Sequence, residues 1–191
     1  MLDFLREIDK NWLLEANHFH SAWADFLMHW LSHTQIWFPF YGLLAFWLIK
    51  YYGWKEGGIA VLFLIVMVTA TDRISSGFFK PFFERLRPCH EPTLQNLLRT
   101  IDGCGGRYGF VSSHAANTFG LATFLFLFCR KNWNKNKQKW AYFFFFWAFW
   151  VSYSRIYLGV HYPFDVIGGA ILGALVSIFL FLLYKLVLKK V

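Results

Sequence analysis

Charge is scarce in this chain. Only 16% of its 191 residues are charged, against about 25% in an ordinary soluble domain. Hydrophobic residues make up 57% and aromatic residues 23%, and they arrive in runs of about 15 to 25, near the length a helix needs to cross a bilayer. That pattern excludes a water-soluble domain. The net charge of +8 does not point to nucleic acid either, because its cations gather at the ends of apolar runs, where they set membrane orientation. Three cysteines leave at least one thiol unpaired. The first 17 residues carry Asp3, Arg6, Glu7, Asp9, Lys10 and Glu15, which fits no basic-then-apolar secretion signal. No internal repeat or low-complexity linker stands out. What remains is an all-α polytopic transmembrane helix bundle.

Residues 2–16 place Leu2, Leu5, Ile8, Trp12 and Leu13 near helical spacing with charges between them, the pattern of an amphipathic helix on a membrane surface. Residues 21–33 form a second apolar patch, too short and polar for a clear span, which leaves an interfacial or short sixth helix. Asp25, His29 and His33 share one helical face there at i, i+4, i+8. A metal site is one reading, and an interfacial polar stripe, which the same spacing favours, is the other. Five clear spans follow, at 35–52, 57–79, 112–129, 139–153 and 164–188. The chain therefore divides into an N-terminal interfacial segment, 1–34, and a transmembrane domain, 35–191. Gly169 and Gly173 are spaced to admit a neighbouring helix closely.

Loop charge sets the orientation. The connection 130–139 holds five cations and no acid, so it, the tail and the 50–55 loop belong in the cytoplasm. The N-terminal helices, the 80–111 loop and the 154–165 stretch then share the outer side. That loop nonetheless carries Lys80, Arg85, Arg87, Arg99 and Arg107, and a polyanionic substrate would explain cations kept on the wrong side.

Three outer segments concentrate the chemistry. Lys80, Arg87 and Arg155 supply cations able to fix the oxygens of an anion, the two arginines in forked fashion. Ser112 and Ser113 open a helix whose free N–H groups favour an anion. His161 can attack or carry a proton, and Asp165 can hold its other ring nitrogen. Asp72 and Arg73 read as a charge pair satisfied among helices. Glu84 and Arg85 fall outside the core site. In an oxidising compartment Cys89 and Cys104 can form a disulfide closing the 80–111 loop.

Written in order, these segments are Lys80-Pro81-Phe82-Phe83-Glu84-Arg85-Leu86-Arg87-Pro88, Val111-Ser112-Ser113-His114, and Ser154-Arg155 with His161 and Asp165. The set resembles the signature of the type 2 phosphatidic acid phosphatase (PAP2) family, K-x6-R-P, P-S-G-H and S-R-x5-H-x3-D. The first and third parts match in type and spacing. In the middle part Val111 replaces proline and Ser113 replaces glycine. The resemblance implies a membrane lipid phosphatase with no cofactor and no metal. It makes His161 the nucleophile, Asp165 its orienting carboxylate and His114 the proton donor to the leaving oxygen. Phosphate would be held by Lys80, Arg87, Ser112, Ser113 and Arg155.

The expected substrate is a phosphomonoester or pyrophosphate on a lipid headgroup, met at the periplasmic face of a bacterial inner membrane. Lipid A phosphate, undecaprenyl pyrophosphate, phosphatidylglycerol phosphate and phosphatidate all qualify, and the basic outer loop favours the larger polyanions. A lipid-to-lipid phosphotransferase and a non-catalytic transporter or lipid-binding module are the alternatives. Nucleic acid is no partner, and the oligomeric state is left open.

Overall fold

A computed structural model describes residues 2–190, so Met1 and Val191, the outermost residues of the two expected domains, lie outside it. Among the described residues there are eight α-helices and no strand, apart from one bridge between Leu86 and Tyr108. They are α1 (Leu2–His18), α2 (Ala22–Ser32), α3 (Phe38–Ile74), α4 (Lys80–Phe83), α5 (Ser113–Asn132), α6 (Lys135–Gln138), α7 (Tyr142–Tyr157) and α8 (Pro163–Lys190).

Helix α5 is the axis of the bundle. It packs on α3, α7 and α8 and buries side chains around its whole circumference, from Ala115 and Ala116 to Phe124, Leu125 and Phe128. Small residues make this enclosure possible. A Cβ added at Gly173 of α8 would stand 2.8 Å from the backbone nitrogen of Gly120, so the two backbones meet where side chains would otherwise separate them. Ser177 then donates its hydroxyl to the Gly120 carbonyl at 2.5 Å.

Helix α3 is a hairpin. Its backbone leaves helical geometry at Gly53, with φ of 77°, a conformation open to glycine and strained for other residues. Past that turn Gly57 lies against the backbone of Leu48, and Leu44, Leu48, Ala60 and Leu64 share one core. The two arms correspond to the expected spans 35–52 and 57–79, although the second ends its α-helix at Ile74 and continues as a π-helical turn, Ser75–Phe79.

Two stretches, Thr34–Phe83 and Pro163–Lys189, are long and apolar enough to cross a bilayer on those criteria. Helix α7 has only 16 residues. Helix α5, walled in by neighbours, carries small and polar residues where a lipid-exposed helix would carry apolar ones. In the aromatic run of α7, Phe143, Phe146 and Phe149 face outward while Trp147 is buried.

The connecting segments sort to two ends. At one, Trp133 donates to the Tyr52 hydroxyl at 2.8 Å, and Lys131 pairs with Glu56 at 2.7 Å. At the other gather α1, α2, the 75–112 segment and the 158–162 connection. Helix α1 turns Asp9, Leu13 and Asn17 inward and leaves Phe4, Leu5 and Trp12 exposed. Of Leu5, Ile8, Trp12 and Leu13 in the apolar stripe expected there, only Leu13 is fully buried, because polar anchors select the docked face.

Candidate active site

The π-helical turn Ser75–Phe79 widens and underwinds the chain just before α4, and Ser75 and Ser76 there meet the start of α5. The Ser113 hydroxyl lies 2.8 Å from that of Ser75 and 3.2 Å from that of Ser76, and it accepts from the Lys80 ammonium at 3.0 Å. The serine standing where the family pattern has glycine is therefore a ligand to Lys80. Its neighbour Ser112 is the N-cap of α5, its side chain accepting from the Ala115 N–H at 3.5 Å. The Ser112 N–H donates to the Asp165 carbonyl at 2.9 Å, joining the tops of α5 and α8.

His161 sits in the short connection between α7 and α8 and is almost wholly buried. Its Nδ1 lies 3.4 Å from Asp165 Oδ2, which also accepts from the Tyr162 N–H at 3.0 Å. Burial, followed by the charges of Arg87, Arg155, Lys80 and Arg85, pushes the imidazole well below its ordinary value of 6.5. Neutral at physiological pH, it keeps a lone pair for attack.

Arg155 donates through Nη1 to the Ser32 hydroxyl, while its Nε is buried with no hydrogen-bond partner among the described residues. Buried donors are nearly always paired in native proteins, so this one suits an anion. Arg87 is held from behind, donating to the Tyr108 carbonyl at 3.3 Å and, through Nη1, to the Cys104 carbonyl at 2.8 Å. Cys104 is disulfide-bonded to Cys89 with Cα atoms 5.8 Å apart, and Cys129 is free and buried. A Cβ at Gly109 would come within 2.9 Å of Asp165 Oδ2, so that loop closes on the carboxylate only as glycine. His114, on the first turn of α5, has Nε2 3.5 Å from the Thr34 hydroxyl. It stands within reach of the charges of Arg155 and Arg87 and of the His161 ring. Ser113 and His114 also form the polar end of an apolar cavity of about 680 Å³ lined by Tyr41, Leu44, Leu64 and Val68.

Sequence reading left Arg85 outside the site, and the structure corrects this. Its Nη1 donates to Asp165 Oδ1 at 2.8 Å and its Nη2 to Asp9 Oδ2 at 2.6 Å, with the guanidinium stacked 4.1 Å over the Tyr162 ring. Asp9 also accepts from the Phe164 N–H at 2.8 Å. No local pattern marks either residue, because their partners lie 80 and 76 positions away. Three other expectations change. Asp25 does not join His29 and His33, since Arg99 pairs with it at 2.6 Å and the Tyr157 hydroxyl donates to it at 2.7 Å. Arg85 and Arg99 are thus paired within the protein and are not free for a substrate. Asp72 and Arg73 form no ion pair among the described residues. Consecutive helical side chains point apart, and Asp72 instead lines the cavity.

The chain is similar to known proteins along most of its length. Residues 58–188 match the model of the PAP2 superfamily. The chain is 38% identical to a lipid A 4′-phosphatase of Bacteroides thetaiotaomicron, over 97% of this chain and 81% of that protein. It is 33% identical to a lipid A 4′-phosphatase of Porphyromonas gingivalis, over 96% of this chain and 75% of that protein. Among solved structures, a transmembrane PAP2-type phosphatidylglycerolphosphate phosphatase from Bacillus subtilis superimposes with a TM-score of 0.73 at 22% identity, covering 98% of this chain and 87% of that one.

Proposed function

The chain belongs to the PAP2 superfamily, and from that premise we propose that it removes the 4′-phosphate of lipid A at the periplasmic face of a bacterial inner membrane. It is an integral membrane lipid phosphatase. The substrate reading rests on the two relatives of that name, which align along nearly the whole chain. In this reading the arms of α3 together with α5, α7 and α8 make five crossings, with the basic 130–139 connection in the cytoplasm. Segment 1–34 is a helical cover over the 35–191 phosphatase domain.

The chemistry follows from one observation: a buried imidazole backed by a carboxylate 3.4 Å away, which burial and the charges of Arg87, Arg155 and Lys80 push toward its neutral form. Those three cations, the unpartnered Arg155 Nε and the N–H groups opening α5 hold the phosphoryl oxygens. His161 attacks phosphorus through Nε2, forming a P–N bond as the bond to the sugar oxygen breaks. His114 gives that oxygen its proton, and Asp165 balances the charge on the phosphorylated ring. Water then attacks phosphorus while the P–N bond breaks and returns His161 as free imidazole, His114 takes the water's proton, and inorganic phosphate leaves. The cations do the electrostatic work without a metal. The apolar cavity beside Ser113 and His114 gives an acyl chain somewhere to lie.

The test is phosphate release by purified protein from lipid A, phosphatidylglycerol phosphate, undecaprenyl pyrophosphate and phosphatidate, with mass spectrometry locating the phosphate lost. Release from the 4′ position that vanishes in His161→Ala is the expected result. Turnover of another lipid alone would overturn the substrate, and label passing to a second lipid would make the protein a transferase.

A further inference from the structure

His29 and His33 stand one turn apart at the end of α2, and Asp102 reaches them from the loop between Arg87 and Ser112. One ligand atom from each of the three lies within 4.8 Å of the others. The two imidazole rings are 4.3 Å apart, and His29 Nδ1 touches Asp102 Oδ1. We propose that these residues bind a divalent transition-metal ion of the Zn²⁺ type at the outer rim of the site.

Two imidazoles and one carboxylate suit zinc and its neighbours, whereas Mg²⁺ and Ca²⁺ take oxygen ligands. Bonds of about 2.0–2.2 Å put tetrahedral ligand atoms roughly 3.3 Å apart. The cluster therefore needs only a small contraction, which the exposed His33 and Asp102 can make. An ordinary ion pair would need His29 and Asp102 alone and gives His33 no role. Three protein ligands leave a fourth position for water, as in open zinc sites.

The place of the cluster says what the ion does. Ser32, which accepts from Arg155, lies between the two histidines on α2. Two residues beyond Asp102 is Cys104, whose carbonyl holds Arg87. A metal bridging α2 to this loop would tie together the two segments that support the anion-binding arginines. It would act as a clamp outside the phosphate-binding cluster, with Asp102 and the two histidines as positioning residues.

Tag-free full-length protein in nanodiscs, stripped with chelator, is titrated with Co²⁺ by visible absorption and with Zn²⁺ by calorimetry. One equivalent of each is expected, with d–d bands of a nitrogen-and-oxygen site. His33→Ala and Asp102→Asn should abolish that equivalent, and Mg²⁺ should not compete. Hydrogen exchange across 99–104 should slow on adding Zn²⁺ to the parent but not to His33→Ala. His33 is exposed, so the metal-free thermal midpoint of that variant should equal the parent's, which separates lost binding from lost folding. Binding that is absent, or unchanged in both variants, overturns the site. None of these readouts uses turnover, so failure of the phosphatase reading would leave the result standing.

Discussion

At the Gly53 end of the bundle Lys131 meets Glu56 at 2.7 Å with about a third of each side chain exposed, while at the His161 end Arg85 reaches Asp9 and Asp165, both carboxylates wholly buried. The distances are alike and the consequences are not. An exposed pair sits in high dielectric and gains little beyond its loss of side-chain freedom. A buried carboxylate has lost its water and depends on the partner that replaces it. The first end is tied with contacts whose loss is small. At the second, charges are shut away from solvent and linked one to the next, from Asp9 through Arg85 and Asp165 to His161. Chemistry requiring a fixed imidazole belongs at the second.

Substitutions at the two ends can break that contrast. The largest effect is expected for His161→Ala, a fall in phosphate release of at least about 10⁴-fold, since a lost nucleophile disables the catalytic unit. His114→Ala should lose about 10²–10⁴-fold through missing acid–base help. Arg85→Met leaves Asp9 and Asp165 buried without their cation, and a thermal or denaturant series should show about 3–5 kcal/mol less stability. In the surviving folded fraction kcat should fall more than KM rises, because Arg85 aligns Asp165 and does not touch substrate. An unchanged kcat would remove it from the positioning chain.

Replacing Cys89 and Cys104 by alanine should lower stability by up to about 3 kcal/mol, the chain-entropy value for a loop of this size. It should also raise KM by loosening the carbonyl that holds Arg87.

The pH effect is smaller and has a definite sign. Because His161 stays neutral in the fold well below 6.5, only the unfolded chain takes up its proton as pH falls through that value. Stability should therefore drop toward acid by at most about 1.4 kcal/mol per pH unit, and His161→Gln should abolish that part of the slope. Lys131→Ala, at the exposed end, should change stability by no more than about 1 kcal/mol. A larger loss there would undo the comparison of the two ends.

What could be read in advance depended on distance along the chain. Gly169 and Gly173 announce a close helix approach because four-residue spacing puts both on one face, and that face meets α5 at Ala116 and Gly120. The three ordered motifs likewise name Lys80, Arg87, Ser112, Ser113, His114, Arg155, His161 and Asp165, which fold to one end of the bundle. Asp25 went the other way. It shares a face with His29 and His33, yet Arg99 and Tyr157 claim it and Asp102 takes the place beside the histidines.

By itself the sequence determined that this is an all-helical membrane protein, which runs are apolar, and which charged segments gather at each end. These follow from composition and short-range periodicity, both local. Only the tertiary structure decided that Asp9 and Arg85 back Asp165, that Ser113 holds Lys80, that Ser32 meets Arg155, and that Asp102, from a loop, reaches two histidines at the end of α2. Each of these joins groups 33 to 123 positions apart. A polar group leaving water takes whichever partner the packed helices bring within reach, and no spacing along the chain records which one that will be.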